Sequence, residues 1–203
     1  NRLCDIEWNT PVGEALACGG DAMMRADALG EVGGYRSDLI AGEEPELCVR
    51  LRRAGWKIWR LDADMTFHDA RLLRFGQWWR RTIRAGHAYA EVSSLHGGTP
   101  EGLWRRETFS AVFWAAILPV LVVGGSFVHP LVLNAAVLYP IQMVRIAVRE
   151  GGARRSVWTY ALFTMLGKFA EFIGITRFLW RRWHVKRFGP MSAIDQEGKR
   201  QTN

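Results

Sequence analysis

The sequence has few cysteines and none of the spacings that bind zinc. Its three cysteines, Cys4, Cys18 and Cys48, are odd in number, and no two of them form a Cys-x-x-Cys pair. A disulfide framework like that of small secreted proteins is therefore not expected. We expect reduced thiols in a cytosolic domain.

The chain also lacks an initiator methionine and a signal peptide. It starts at Asn1 without the basic segment and following apolar segment that direct secretion. We therefore expect a fragment of a longer protein, with further sequence upstream. Internal repeats are absent as well, so a repeat architecture is not predicted.

Charge is missing from a long stretch in the middle of the chain. Residues 108–128 and 130–144 contain no Asp, Glu, Lys or Arg, and each segment with its flanks approaches the ~20 residues needed to cross a bilayer. Arginines flank the pair but are absent from the connection. The positive-inside rule therefore predicts that residues 108–148 form a transmembrane helical hairpin with both ends in the cytoplasm. The alternative is a pair of buried core helices.

Positive charge is what the sequence has in excess. Lys and Arg number 27 against 20 for Asp and Glu, which gives a formal net charge of +7. Such a balance suits lipid headgroups, phosphates or nucleic acid. Because the arginines concentrate around apolar helices, membrane lipids explain them best, and no nucleic-acid partner is expected.

Residues 1–70 have the pattern of an α/β layer. A short helix is predicted after Asp21 as N-cap, and a second helix with Glu44 as N-cap and Gly55 at its end. The alternating sequence WKIWRL then predicts a strand, and DMTFHD a second extended piece that ends at His68.

Residues 71–107 predict a basic amphipathic helix. Leu72, Phe75, Trp79 and Ile83 fall on one face, with arginines beside them. Such a helix can lie at a membrane surface, or it can pack on a soluble domain. Residues 149–203 then predict another amphipathic helix, interfacial or a third span, followed by a basic polar tail.

Three glutamates open the second predicted helix. A helix N-terminus stabilises exposed negative charge by about 0.3 to 1 kcal/mol per carboxylate, which explains Glu43 and Glu44 without any catalytic role. A carboxylate held there is also well placed to take a proton from a hydroxyl, because the helix dipole favours its ionised form.

Five elements follow one another between residues 18 and 69. They are a glycine turn with a short helix (Gly19, Gly20, Asp21, Arg25), the segment Val32 to Tyr35, the pair Glu43-Glu44, the pairs Arg50-Leu51 and Gly55-Trp56, and His68. In this order they resemble the second half of the catalytic domain of family 2 glycosyltransferases, the inverting GT-A type. The sequence from Gln77 to Arg81 is similar to a Gln-x-x-Arg-Trp motif that membrane synthases of that family carry on an interfacial helix.

The resemblance implies an α/β fold class: the C-terminal half of a GT-A domain, followed by an amphipathic interfacial helix and a transmembrane hairpin. It implies transfer of a sugar, with inversion, from a nucleotide-sugar donor to a polysaccharide, glycolipid or lipid-linked acceptor. The donor-binding half, which would hold most of the ligands of a divalent Mg or Mn ion, is expected upstream of Asn1. This part of the chain is then expected to be inactive alone, in the plasma or inner membrane, with its catalytic part cytoplasmic.

The resemblance also assigns roles to residues. Glu44 matches the general base, although the family usually has Asp there, and Glu43 competes for the role. Gly20 and Asp21 match a loop that contacts donor sugar or acceptor. Gln77 and Arg80 match the motif that closes over the donor phosphates and the acceptor. Arg81 replaces the motif's final Trp, so acceptor stacking would pass to Trp78 or Trp79, or would be absent.

His68 has two interpretations, as a ligand of the donor metal or as a structural residue at a strand end. Asp62-Ala63-Asp64 follows the acidic pair instead of preceding it, so we do not interpret it as the family's metal motif. The competing hypothesis for the whole chain is a non-catalytic membrane module, in which the basic helix and the hairpin anchor a partner and the acidic pair only caps a helix.

Overall fold

A computed structural model of the chain describes residues 10–63, 72–152 and 154–188. Of these residues, 68% are helical and 4% lie in strands, which form one two-stranded sheet. The predicted fold class, an α/β half of a GT-A domain, is therefore wrong. An α/β layer needs several strands with helices packed against them. The alternating stretch WKIWRL forms a strand pair over only three residues, and the described residues after position 72 are all in helices or in the connections between them.

The elements follow one another along the chain in this order. They are β1 (Gly13–Ala15), α1 (Ala26–Glu31), α2 (Glu43–Arg53), β2 (Ile58–Arg60), α3 (Phe75–His96), α4 (Arg105–Val112), a π-helical turn (Phe113–Ile117), α5 (Leu118–Ser126), a 3₁₀ helix (Pro130–Val137), α6 (Leu138–Arg149) and α7 (Arg155–Phe188).

The strands and the first two helices form a small N-terminal unit. β1 and β2 pair antiparallel, with Glu14 opposite Trp59. The strand predicted in WKIWRL is thus confirmed at its centre, whereas its partner β1 has no alternating pattern and was not predicted. Ala28, Leu47 and Leu51 form the core between α1 and α2. The second extended piece, which ends at His68, lies outside the described residues.

Both predicted N-caps are wrong. α1 begins at Ala26 after an extended Arg25, not at Asp21. α2 begins at Glu43 after Gly42, whose φ of 88° is in the left-handed region. Only glycine suits this position, because a Cβ on Gly42 would also lie 2.4 Å from the Trp104 ring.

α3 and α7 pack together through glycines. A Cβ on Gly86 would lie 2.1 Å from the Glu171 carbonyl oxygen, and one on Gly174 would lie 2.0 Å from that of Ile83. Backbone meets backbone at this crossing, so small residues are required on both helices. Ala90, Ala111, Ile175 and Phe178 extend the contact into a core that α4 shares.

The face of α3 that packs on α7 carries Trp78 and Gly86. Trp78 is 8% exposed, whereas Phe75, on the predicted apolar face, is 56% exposed. The backbones of the two helices approach each other at Gly86, so the residues on that side of α3 are buried.

Two helical segments are long and apolar enough to cross a membrane. The mean hydropathy reaches 2.0 in the most apolar 18-residue stretch of Arg105–Ser126 and 1.7 in that of Pro130–Arg149. Only 17% and 6% of these stretches are buried. Helices of a soluble core would bury these side chains. Length and composition therefore support membrane association. The break between them is limited to residues 127–129, since Gly124 and Gly125 remain helical.

α7 is one continuous helix of 34 residues, or about 51 Å at 1.5 Å per residue. It runs beside α3 and contacts α4 and α6. Lys168 and Glu171 are charged residues that a third membrane span would have to accommodate, and they form an ion pair of 2.8 Å. Although α7 is long enough to cross a membrane, it is not apolar enough to be one of the two candidate spans among the described residues.

Candidate functional site

The acidic start of α2 lies against the glycine loop that precedes α1. Glu43 and Glu44 are partly buried in the first turn, and the Glu44 Oε1 atom lies 3.6 Å from the position that a Cβ on Gly20 would take. The structure thus brings together two elements that are 24 positions apart and that the sequence analysis assigned to one site. Asp21, next along this loop, is exposed.

Glu43 and Glu44 differ in their surroundings. The Oε2 atom of Glu43 is buried and accepts no hydrogen bond from the described residues. The Glu44 carboxylate instead borders the loop at Gly20 and also lies near the Cys18 and Cys48 thiols, whose titration it affects. Of the two, Glu44 is therefore the carboxylate that faces the substrate loop named by the resemblance.

The third glutamate of this helix has a structural role that the sequence analysis did not find. Glu46 is 1% exposed at its side chain, and its carboxylate accepts hydrogen bonds from Arg50 at 2.7 Å and pairs with His96 Nε2 at 3.0 Å. Arg50 also donates to the Val32 carbonyl at 2.6 Å. Burial alone would raise the pKa of Glu46, but the bonds from Arg50 and His96 hold it below its ordinary value.

This network joins the end of α1, the start of α2 and the end of α3. The spacing of Glu46 and Arg50, one helical turn apart, was visible in the sequence. His96 was not identifiable, because it lies 50 positions away and local spacing does not show which distant residue a side chain contacts. Since both Glu46 oxygens are engaged, this carboxylate holds the fold together and is not available to a substrate.

Gln77 and Trp78 are occupied by contacts within the fold. The Gln77 Oε1 atom accepts the backbone N–H groups of Leu73 and Arg74, both at 3.0 Å, and so caps the start of α3. Trp78 packs edge-on against Phe163 of α7, with ring centroids 4.8 Å apart. Among the described residues, neither side chain has a contact with the acidic start of α2.

The arginine face of α3 borders the loop that leads into α2. Arg84 donates to the Ile40 carbonyl at 2.9 Å, and Glu91 accepts the Ile40 N–H at 3.3 Å. Arg80 and Arg81 are exposed one turn earlier, on the side of α3 that leads to Arg84. Both are predicted substrate-binding residues.

A second polar feature lies between the apolar hairpin and α7. A cavity of about 310 Å³ has a mixed lining: Trp114, Ile146 and Met165 are apolar, whereas Ser110, Gln142, Arg149, Glu150, Tyr160, Thr164 and Lys168 are polar or charged. Ser110 follows the start of one apolar helix and Arg149 ends the other, so the cavity lies at the arginine-rich end of the hairpin.

The predicted metal has no site in the described part of the chain. Among residues 10–63, 72–152 and 154–188, no three or more His, Cys, Asp and Glu side chains form a group that could hold a metal ion. Asp62 is exposed, while Asp64, His68 and Asp69 lie outside the described residues. Comparisons of the chain with protein-family models, with curated proteins and with solved structures found no match.

Proposed function

We propose that this chain is the acceptor side of a membrane-associated glycosyltransferase, with Glu44 as general base and a nucleotide sugar as donor. The proposal is supported by one observation, the contact between the Glu44 carboxylate and the loop at Gly20. The same two elements carry the motif resemblance. The proposal does not include a GT-A fold.

The reaction is a single displacement. A hydroxyl of a saccharide, glycolipid or lipid-linked acceptor gives its proton to Glu44, and its oxygen bonds to the anomeric carbon as the bond to the nucleotide diphosphate breaks. Inversion follows because the oxygen attacks the face opposite the leaving group. The first turn of α2 favours the negative charge that Glu44 needs as a base.

The departing diphosphate needs positive charge near it. Arg80 and Arg81 are exposed on α3 one turn before Arg84, which contacts the loop before α2, and they are assigned this role. Because the described residues hold no group that fits a metal ion, no step of the proposal passes through one. Gln77 is assigned to capping α3, so its proposed substrate role is withdrawn.

The membrane arrangement follows from the arginines. Arg105 and Arg106 begin the first apolar helix, and Arg149 ends the second, so all three lie at one end of the hairpin. The positive-inside rule puts this end in the cytoplasm, in a multi-pass protein of the plasma or inner membrane. The polar cavity beside Arg149 and Lys168 then lies at headgroup depth, where a lipid-linked acceptor would present its phosphate.

The test is the Glu44→Gln variant of the full-length protein. With a panel of nucleotide sugars, release of nucleotide is expected to fall by about 10²- to 10⁴-fold, the usual contribution of a general base. Glu43→Gln and Glu14→Gln are the matched controls and are expected to keep most of the activity. Turnover by Glu44→Gln at the wild-type rate, with unchanged circular dichroism, would remove Glu44 as the base.

The second candidate is a non-catalytic membrane module, and the environment of Gln77 and Trp78 favours it. Both are predicted site residues that the fold uses for capping and packing. This alternative predicts no nucleotide release from any donor by the full-length wild-type protein, together with retention in the membrane fraction.

A further inference from the structure

Two of the three cysteines meet at the acidic start of α2. The sulfur of Cys18, in the loop before Gly19, lies 3.4 Å from the sulfur of Cys48 in α2. The Cys18 backbone N–H also points at the Cys48 sulfur, at 3.4 Å. Both thiols are free, and they are separated by 30 positions in the chain.

We propose that Cys18 and Cys48 are a redox-active dithiol, which closes to a disulfide by exchange with a low-molecular-weight disulfide and reopens with a thiol reductant. A disulfide bond is about 2.05 Å long, so the two sulfurs need to approach by little more than 1 Å. One of the partners is in a loop, which can make this movement without disturbing the helix.

The two thiols differ in access, and this sets the order of the exchange. Cys48 is fully buried, whereas Cys18 is partly exposed and can meet a small disulfide. Cys18 gives its proton to the Cys48 thiolate across their 3.4 Å contact and attacks one sulfur of the oxidant. This forms a mixed disulfide, and the departing thiolate leaves as a thiol with the proton from Cys48. The Cys48 thiolate then attacks the Cys18 sulfur and expels the second thiolate, which takes a proton from solvent. The protein loses two electrons, and one small disulfide becomes two thiols.

The electrostatics favour Cys48 as the resolving group. The hydrogen bond from the Cys18 thiol lowers the pKa of Cys48 to about 7, against the effect of burial, and Arg52 acts in the same direction while Glu44 opposes it. Donation of that hydrogen bond, together with burial, raises the pKa of Cys18. In the reduced protein Cys48 is therefore the more readily ionised of the two thiols, and the effect of Arg52 on its pKa persists once Cys18 is in the mixed disulfide.

Closure of the disulfide would fix the loop against α2. Cys18 immediately precedes Gly19 and Gly20, and Cys48 lies one helical turn after Glu44. The loop that lies on the Glu44 carboxylate would then be held at both its contact with Glu44 and the new bond. If Glu44 is the base, the oxidised form is expected to turn over more slowly; this consequence alone rests on the proposed function.

The experiment uses the full chain in detergent, without any activity assay. The protein is equilibrated with mixtures of oxidised and reduced glutathione, quenched by alkylation, and mapped by peptide mass spectrometry. We expect a Cys18–Cys48 disulfide, alkylated Cys4, full reversal by dithiothreitol and a higher thermal midpoint in the oxidised form. Free Cys18 and Cys48 after exposure to oxidised glutathione alone would overturn the proposal.

Two single variants test the order of exchange. Cys48→Ser should trap Cys18 as a stable mixed disulfide with glutathione, because the resolving thiolate is gone. Cys18→Ser should leave Cys48 unmodified in the folded protein, because it is buried. Equal glutathionylation of both variants, or Cys4 in the disulfide of the wild type, would contradict the assignment even if the transferase proposal held.

Discussion

Gly86 of α3 and Gly174 of α7 face each other where the two helices cross, and neither position has room for a Cβ atom. On Gly174 it would lie 2.0 Å from the Ile83 carbonyl oxygen and 2.6 Å from the His87 nitrogen. The neighbouring atoms are backbone, which cannot rotate away as a side chain can.

The first prediction concerns this crossing. Gly174→Ala forces α3 and α7 apart and should destabilise the protein by about 1 to 3 kcal/mol or more, as overpacking does. The measurement is the thermal midpoint in detergent. The matched control is Gly30→Ala in α1, where no atom lies within 4 Å of the new Cβ. A midpoint for Gly174→Ala equal to that of the control would contradict the close crossing.

The second prediction separates two effects of glycine at the ends of α2. Gly42 and Gly55 both have a φ of 88°, but only Gly42 lies against another side chain, the ring of Trp104. Gly55→Ala should lower the free energy of unfolding by about 1 kcal/mol, because alanine is strained in the left-handed conformation. Gly42→Ala should lower it clearly more, as measured by chemical denaturation. Equal losses would mean that Trp104 does not pack on Gly42.

The third prediction is a pH dependence of stability. Because the folded state lowers the pKa of Glu46 below its ordinary 4.5, its contribution is present above that pH and is lost as the pH falls through the folded value. Glu46→Gln should therefore be less stable than wild type at neutral pH, by about 3 to 5 kcal/mol for a broken buried pair. The difference should shrink under acid.

Urea unfolding of Glu46→Gln and wild type across a pH series measures this difference. Asp62→Asn, at an exposed site, serves as the control and should follow the wild type throughout. A difference between Glu46→Gln and wild type that stays constant from pH 7 to strongly acidic conditions would show that the charge of Glu46 is not what stabilises the network.

The fourth prediction tests the hairpin. Val120 lies in the middle of the first apolar helix and is largely exposed. If lipid covers it, Val120→Arg costs about 2.5 to 3.5 kcal/mol in insertion and should shift protein from the membrane fraction to the soluble or aggregated fraction. Leu95→Arg, exposed on α3, should leave the distribution unchanged. Equal distributions for the two variants would count against a membrane span at Val120.

Local patterns in the sequence predicted parts of this structure well. The uncharged stretches became the two long apolar helices, and the end of α2 before Gly55 is confirmed. These features depend on residues close to one another in the chain. The resemblance assigned a binding role to Gly20 and a catalytic role to Glu44, and these roles stay a prediction. In the structure the two residues lie close together.

The features that the sequence did not predict correctly depend on residues far apart in the chain. The N-cap of α2 is Gly42, which lies against Trp104, 62 positions away, and the packing face of α3 meets Gly174 of α7. Cys18 and Cys48 also meet only in the folded chain. The fold class was wrong for a related reason: motif order can match an α/β domain while the segments form a single short strand pair in a helical protein.

The contacts between the N-terminal unit and α3 have a consequence for chain cleavage. Glu46 with His96, Arg53 with Glu101, and Ile40 with both Arg84 and Glu91 all join residues before position 63 to residues after position 72. A polypeptide cut once between Asp62 and Leu72 is therefore expected to behave as a two-piece complex. Its halves, expressed separately, should find each other and copurify.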